Sequence, residues 1–225
     1  MFKGENIKMF YLQDVFLLPI YLVIILIFAY LYRNFVYNQS PLKKYFIPGM
    51  MVKIMGGLGV GFIYVFYYDG GDTSYYFRDS QVFNNSINDS FSTFFKLLFL
   101  PAKTITPDTY EYTYGLSYFR DPSTWMADRI YGVLSVLSFH SYPVMAVLIS
   151  VLSFTGAWAL LRTFVQLHPN LTKPLAYSIL FVPSVFFWGS GILKDSITFG
   201  CLGWITYSSY SIFLRRKNIV INSVI

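Results

Sequence analysis

The apolar positions of this chain fall in long continuous runs. They show neither the period-two alternation of half-buried strands nor the single stripe of soluble helices. Crossing a hydrocarbon layer of about 30 Å takes roughly 20 helical residues. Runs at 15–32, 45–68, 142–165, 175–193 and 196–214 reach or approach that length, which predicts an all-α integral membrane protein with about five transmembrane helices. The first run is too long for a signal-peptide core and lacks a small-residue cleavage site, so it reads as a retained helix. "GGLGVG" inside the second run is small enough to let another helix approach closely.

The second and third crossings are separated by a polar stretch, 69–141, which holds two shorter apolar runs at 91–100 and 122–139. Asp121 can cap a helix that begins at Pro122. Asp128 and Arg129, near the middle of so short a run, argue against a full crossing. Both segments are expected as interfacial or re-entrant helices of one polytopic membrane domain.

Composition agrees with this picture. Hydrophobic residues make up 55% of the chain and charged residues 12%, where a soluble domain carries about a quarter charged. Charge adds a direction. Arg33, Lys43 and Lys44 follow the first run, Arg162 and Lys173 lie near the end of the third, and "RRK" at 215–217 follows the fifth. The positive-inside rule assigns all three clusters to the cytoplasm. The stretch 69–129, with eight acids against five bases, then faces the other side together with the N-terminus. The expected location is a multi-pass membrane protein, N-terminus outside and C-terminus cytoplasmic. Because the basic residues cluster at membrane ends, the net charge of +6 does not signal nucleic acid. Cys201 is the only cysteine, which excludes an intramolecular disulfide, and it reads as a small buried packing residue.

Two polar, glycine-bearing stretches stand out. In "YYDGGDTSYYF", Asp69 and Asp72 flank two glycines that leave room for a ligand and permit positive φ. Carboxylates there can take a proton from an attacking hydroxyl or hold a divalent cation. The competing reading is a solvated turn with tyrosine anchors. In "FVPSVFFWGSGILKDS", Pro183, Gly189 and Gly191 break the helical pattern just before Lys194 and Asp195. Lys194 can bind a lipid-linked phosphate, or it can simply snorkel at a helix end beside a capping Asp195. Lys53, inside the second run, either snorkels to the cytoplasmic side or pairs within the bundle. Arg78, Arg120, Arg129 and Asp128 complete the charges on the outer face, each open to a loop or surface-helix role. No phosphate loop, dinucleotide fingerprint, zinc motif or internal repeat occurs.

These stretches, with "WMADRIYGVLS", resemble bacterial polytopic glycosyltransferases and exopolysaccharide polymerases of the GT-C type. The resemblance implies a membrane enzyme using polyprenyl-phosphate-linked sugars or glycans at the outer face of the cytoplasmic membrane. Asp72, or Asp69, would act as base, and Lys194, Asp195, Arg78 and Arg129 would meet the substrate phosphate. A divalent cation, if one binds, falls to Asp69 and Asp72. The two stretches are then expected side by side. Such enzymes have more crossings than this chain, which reads as a truncated product or the N-terminal part of a longer protein. A lipid or polysaccharide transporter and a non-catalytic membrane subunit of a cell-envelope assembly are the alternatives, and an oligomer or partner subunit fits either.

Overall fold

In the computed structural model residues 9–214 are described, and every regular element among them is helical. The "RRK" cluster at 215–217 lies outside the described residues. In chain order the helices are α1 (Asp14–Val36), α2 (Lys43–Phe66), α3 (Asp72–Asp89), α4 (Phe91–Phe99), α5 (Tyr110–Thr113), α6 (Pro122–Leu137) and α7 (Tyr142–Leu167). A broken segment follows, made of a 3-10 turn at Pro169–Leu171, α8 (Thr172–Ala176), a π-helical stretch at Tyr177–Phe181 and α9 (Pro183–Trp188). The chain then enters α10 (Lys194–Phe213).

Three helices, α1, α2 and α7, are long and apolar enough to cross a membrane. Two of the five expected crossings differ. The run at 175–193 is not one helix: Val182 is extended ahead of Pro183, and the chain turns again before α10. Proline at 183 has no N–H to continue the ladder, and it biases the residue before it toward extended backbone. α10 is a continuous 20-residue helix, but its threonines, serines and glycines keep it below the hydropathy of the other three.

Packing gives the helices a common axis. α1 and α2 are antiparallel, joined by the short 37–42 connection. α7 starts where α2 ends, with Tyr142 of α7 hydrogen-bonded to Thr73 just past α2 (2.8 Å). α7 and α10 run parallel: Trp204 donates to Thr155 and Arg162 to Tyr207. The pair meets backbone to backbone, since a Cβ on Gly156 would stand 2.0 Å from the Gly200 carbonyl oxygen. "GGLGVG" serves the same purpose on α2, where a Cβ on Gly56 would meet the Phe186 carbonyl at 2.3 Å. The broken segment returns the chain along α2, which is how two parallel helices become neighbours.

The bundle thereby acquires two unlike ends. At one end lie Arg33, Lys43, Lys44, Arg162 and Lys173, with no acid among the described residues there. At the other end α3, α4, α5 and α6 form a cap around Phe83, Phe94, Leu97, Phe119 and Trp125. α6 begins as the sequence suggests, with Asp121 accepting from Thr124 N at 3.1 Å and Pro122 in the first turn. Most acids of the chain belong to this cap. Cys201, expected to be buried, is exposed on α10.

Candidate functional site

The turn from α2 into α3 carries the two aspartates. Asp69 takes φ 53°, Gly70 120° and Gly71 133°, so three successive residues lie at positive φ. Glycine is the residue that accepts the latter two values without strain. A Cβ on Gly71 would also stand 2.7 Å from the Tyr64 ring. This tight turn sets Asp72 at the first position of α3, where the helix dipole favours a carboxylate. Asp72 is exposed, and its Oδ1 accepts from the Tyr118 hydroxyl at 2.7 Å. Asp69 is exposed on the turn itself.

Lys194 opens α10, exposed, with its ammonium donating to Thr124 Oγ1 at 3.1 Å. That hydroxyl in turn donates to Asp121, whose carboxyl is held down to about 2 by the hydrogen bonds from Thr124 and Ser123. The backbone before α10 is fixed by Tyr131 of α6, which donates to the Leu193 carbonyl at 2.8 Å. Asp195 is exposed in the first turn of α10 and does not cap it, the N-cap being Leu193.

Tyrosines link the two turns. Tyr64 lies within Coulombic range of both Asp72 and Asp195. Tyr76 lies beside Thr124 and within range of Asp128, Asp72 and Asp121, and its ring centroid is 5.1 Å from that of Tyr118. Burial first, then the neighbouring carboxylates, raise the phenols of Tyr76 and Tyr118 above their ordinary value. Both stay neutral hydrogen-bonding groups at physiological pH. Among the described residues the only ion pairs are Arg78–Asp79 and Lys96–Asp108, so Asp72 and Lys194 are not spent on each other.

The other candidate charges separate from this group. Arg78 donates to Asp79 at 2.9 Å and to Ser117, beside a polar cleft of about 220 Å³ at α3 and α5. Arg129 faces α4, donating to the Leu98 carbonyl at 3.2 Å. Neither makes a hydrogen bond to Asp72 or Lys194. Among the described residues no three of His, Cys, Asp and Glu gather as metal ligands, so Asp69 and Asp72 have no third such partner for a cation.

Asp128, expected among the outer-face charges of a surface helix, lies elsewhere. An amphipathic surface helix would leave it wet; instead the cap buries it completely, at 0% exposure. Neither carboxyl oxygen has a hydrogen-bond partner. Burial, with a smaller contribution from Asp79, pushes its pKa up to about 9, against the opposing pull of Arg78 and Lys194. Burial thus favours the neutral acid, with Asp79, Arg78 and Lys194 in Coulombic range. His140, stacked on Phe77 with its Nδ1 on Ser135, is kept neutral by burial, with a pKa down to about 4.

Lys53 lies deep in the bundle rather than at an edge. It is 0% exposed and donates to the Gly189 carbonyl (2.6 Å) and Ser153 Oγ (3.0 Å), with the Phe199 ring 4.4 Å away. Irregular backbone is tolerated at membrane depth when side chains satisfy the freed carbonyls. Ser153 also donates to Gly189, and Ser150 to Ser190. Lys53 thus anchors the turn that presents Lys194. No known family, curated protein or solved structure matches this chain, so the site is read from its own geometry.

Proposed function

We propose that the chain is a membrane glycosyltransferase or polysaccharide polymerase that uses a polyprenyl-phosphate-linked sugar, with the capped end of the bundle at the outer membrane face. One observation carries the reading: an exposed carboxylate, Asp72, held by Tyr118, and an exposed ammonium, Lys194, held by Thr124, are joined through Tyr76, which lies against Tyr118 and beside Thr124, without pairing to each other. In this reaction the acceptor hydroxyl oxygen attacks the anomeric carbon and the bond from that carbon to the phosphate oxygen breaks. Asp72 takes the hydroxyl proton, and the polyprenyl phosphate leaves with its negative charge against Lys194. Tyr118 holds the Asp72 carboxylate in one orientation, and Thr124 does the same for Lys194.

The test is transfer of labelled sugar from a polyprenyl-phosphate donor by purified protein in nanodiscs. Asp72→Asn keeps the shape and removes the base, and is expected to lower the rate by about 10²–10⁴. Lys194→Gln is expected to raise KM for the lipid-linked donor more than it lowers kcat. Full transfer activity in Asp72→Asn would refute the assignment of the base. No transfer by the wild-type protein with any lipid-linked donor would favour a non-catalytic envelope subunit.

A further inference from the structure

We propose that the basic end of the bundle holds an anionic phospholipid, with an acyl chain in the cleft beside α1 and the phosphate against Arg162. The site lies at the opposite end from Asp72 and Lys194 and does not depend on the reaction assigned to them.

The cleft has a volume of about 330 Å³, within the range of small-molecule sites. Its walls come from α1, α2, α7 and α10, with Phe28, Phe46, Phe154, Trp158 and Trp204 among them, and Arg162 is the only charged residue that lines it. One wall, α1, is itself little buried. Only 6% of its most apolar stretch is buried, against 72% for α7. Arg162 stacks over Tyr207 (4.7 Å to the centroid) and donates one hydrogen bond to its hydroxyl at 3.0 Å. No described carboxylate pairs with it. A guanidinium has five N–H donors in a fork that fits phosphate oxygens two at a time. An apolar slot with an uncompensated guanidinium at one end matches the two parts of an anionic lipid.

A second feature agrees. On the other side of α1 a groove of about 430 Å³ is lined by Val23, Leu26, Ile27, Leu31 and Ile47 and again includes an arginine, Arg33. Arg33 donates to Asn34 and leaves its buried Nε without a partner. Both sides of α1 therefore pair apolar space with a cation that has no described acid partner.

Trp158 and Trp204 line the cleft and report its occupant directly. The full chain, carrying Trp188→Phe to remove an exposed indole, is placed in nanodiscs of phosphatidylcholine. Brominated phosphatidylglycerol or brominated phosphatidylcholine is then titrated in and tryptophan quenching is read. Trp125, 1% exposed in the cap, contributes a constant. The expected result is half-quenching at about fivefold lower mole fraction of the anionic lipid, the size of one basic-residue contact at a membrane surface. Arg162→Gln should remove the preference and Arg162→Lys should retain part of it. Equal quenching by the two lipids in the wild-type protein, or an unchanged preference in Arg162→Gln, overturns the proposal.

Discussion

Among the described residues one lysine and one aspartate, Lys53 and Asp128, are 0% exposed, and their surroundings could hardly differ more. Lys53 sits in the bundle with an oxygen or a ring in each direction its ammonium points. Asp128 sits in the cap with both oxygens bare. A buried charge is expensive unless its hydrogen bonds are made. The first arrangement therefore behaves as architecture, an amino group used to tie down a broken helix. The second keeps an unpartnered carboxyl within Coulombic range of Lys194, where a fold selected for stability alone would place a leucine or an asparagine with partners. Burial does not distinguish the two; satisfaction does.

The largest effect is expected on the Lys53 side. Lys53→Met together with Ser153→Ala strips both side-chain donors from the buried Gly189 carbonyl. The loss should be about 3 kcal/mol or more, from an unsatisfied buried acceptor plus two lost hydrogen bonds. Thermal unfolding in nanodiscs measures it, and each single variant should lose less than half as much, because the remaining donor still holds the carbonyl. If the double variant were as stable as the wild type, the architectural role of Lys53 would be wrong.

Asp128→Asn should move stability the other way. An acid raised in the fold from 3.8 to about 9 adds no penalty below its ordinary value. As the pH climbs between those two values the unfolded chain releases the proton and the fold does not, so the wild type loses stability. Asparagine carries no such term, so the variant should gain on the wild type by several kcal/mol at pH 8 and by nothing near pH 4. Transfer activity should fall in the same variant if the proton is used. A stability difference independent of pH would show that Asp128 is ionised in the fold.

That contrast was only half legible from the amino acids. The apolar runs locate α1, α2 and α7 because hydropathy over about 20 residues is a strong signal. The start of α6 is legible because Asp-Pro is a local signal. Helix α3 is not, since Asn84, Asn85, Asn88 and Asp89 favour turns, and its buried face of Tyr76, Phe77, Ser80 and Phe83 is interleaved with polar residues. The break near Pro183 shows in the sequence, yet the groups that satisfy it do not, because Lys53 and Gly189 are 136 residues apart. Asp128 was misplaced for the same reason: a helix pattern gives the stripe, while the depth of burial depends on α3 packing over it.

A finer test on the cap side compares tyrosines that each hold one oxygen near the proposed reaction. Tyr131, 0% exposed, donates to the Leu193 carbonyl, a buried backbone group with no water to replace the hydroxyl. Tyr131→Phe should cost about 1–2 kcal/mol and raise KM for the lipid-linked donor, since Leu193 immediately precedes Lys194. Unchanged stability in this variant would mean that the turn is fixed by other contacts.

The smallest change in stability belongs to Tyr118→Phe. Its hydroxyl reaches an exposed carboxylate, Asp72, so water takes over the hydrogen bond and the loss should stay within about 0.5 kcal/mol. Activity should respond more than stability. A carboxylate released from one orientation spends less time aligned with the acceptor hydroxyl, and kcat should fall about tenfold with the donor KM unchanged. Asp72→Asn combined with Tyr118→Phe should be no slower than Asp72→Asn alone, because the tyrosine acts only through the carboxylate it holds. Additive losses in that double variant would mean that Tyr118 contacts the substrate itself, and the cap would then contain a second hydrogen-bond donor to the reacting group in place of a positioning residue.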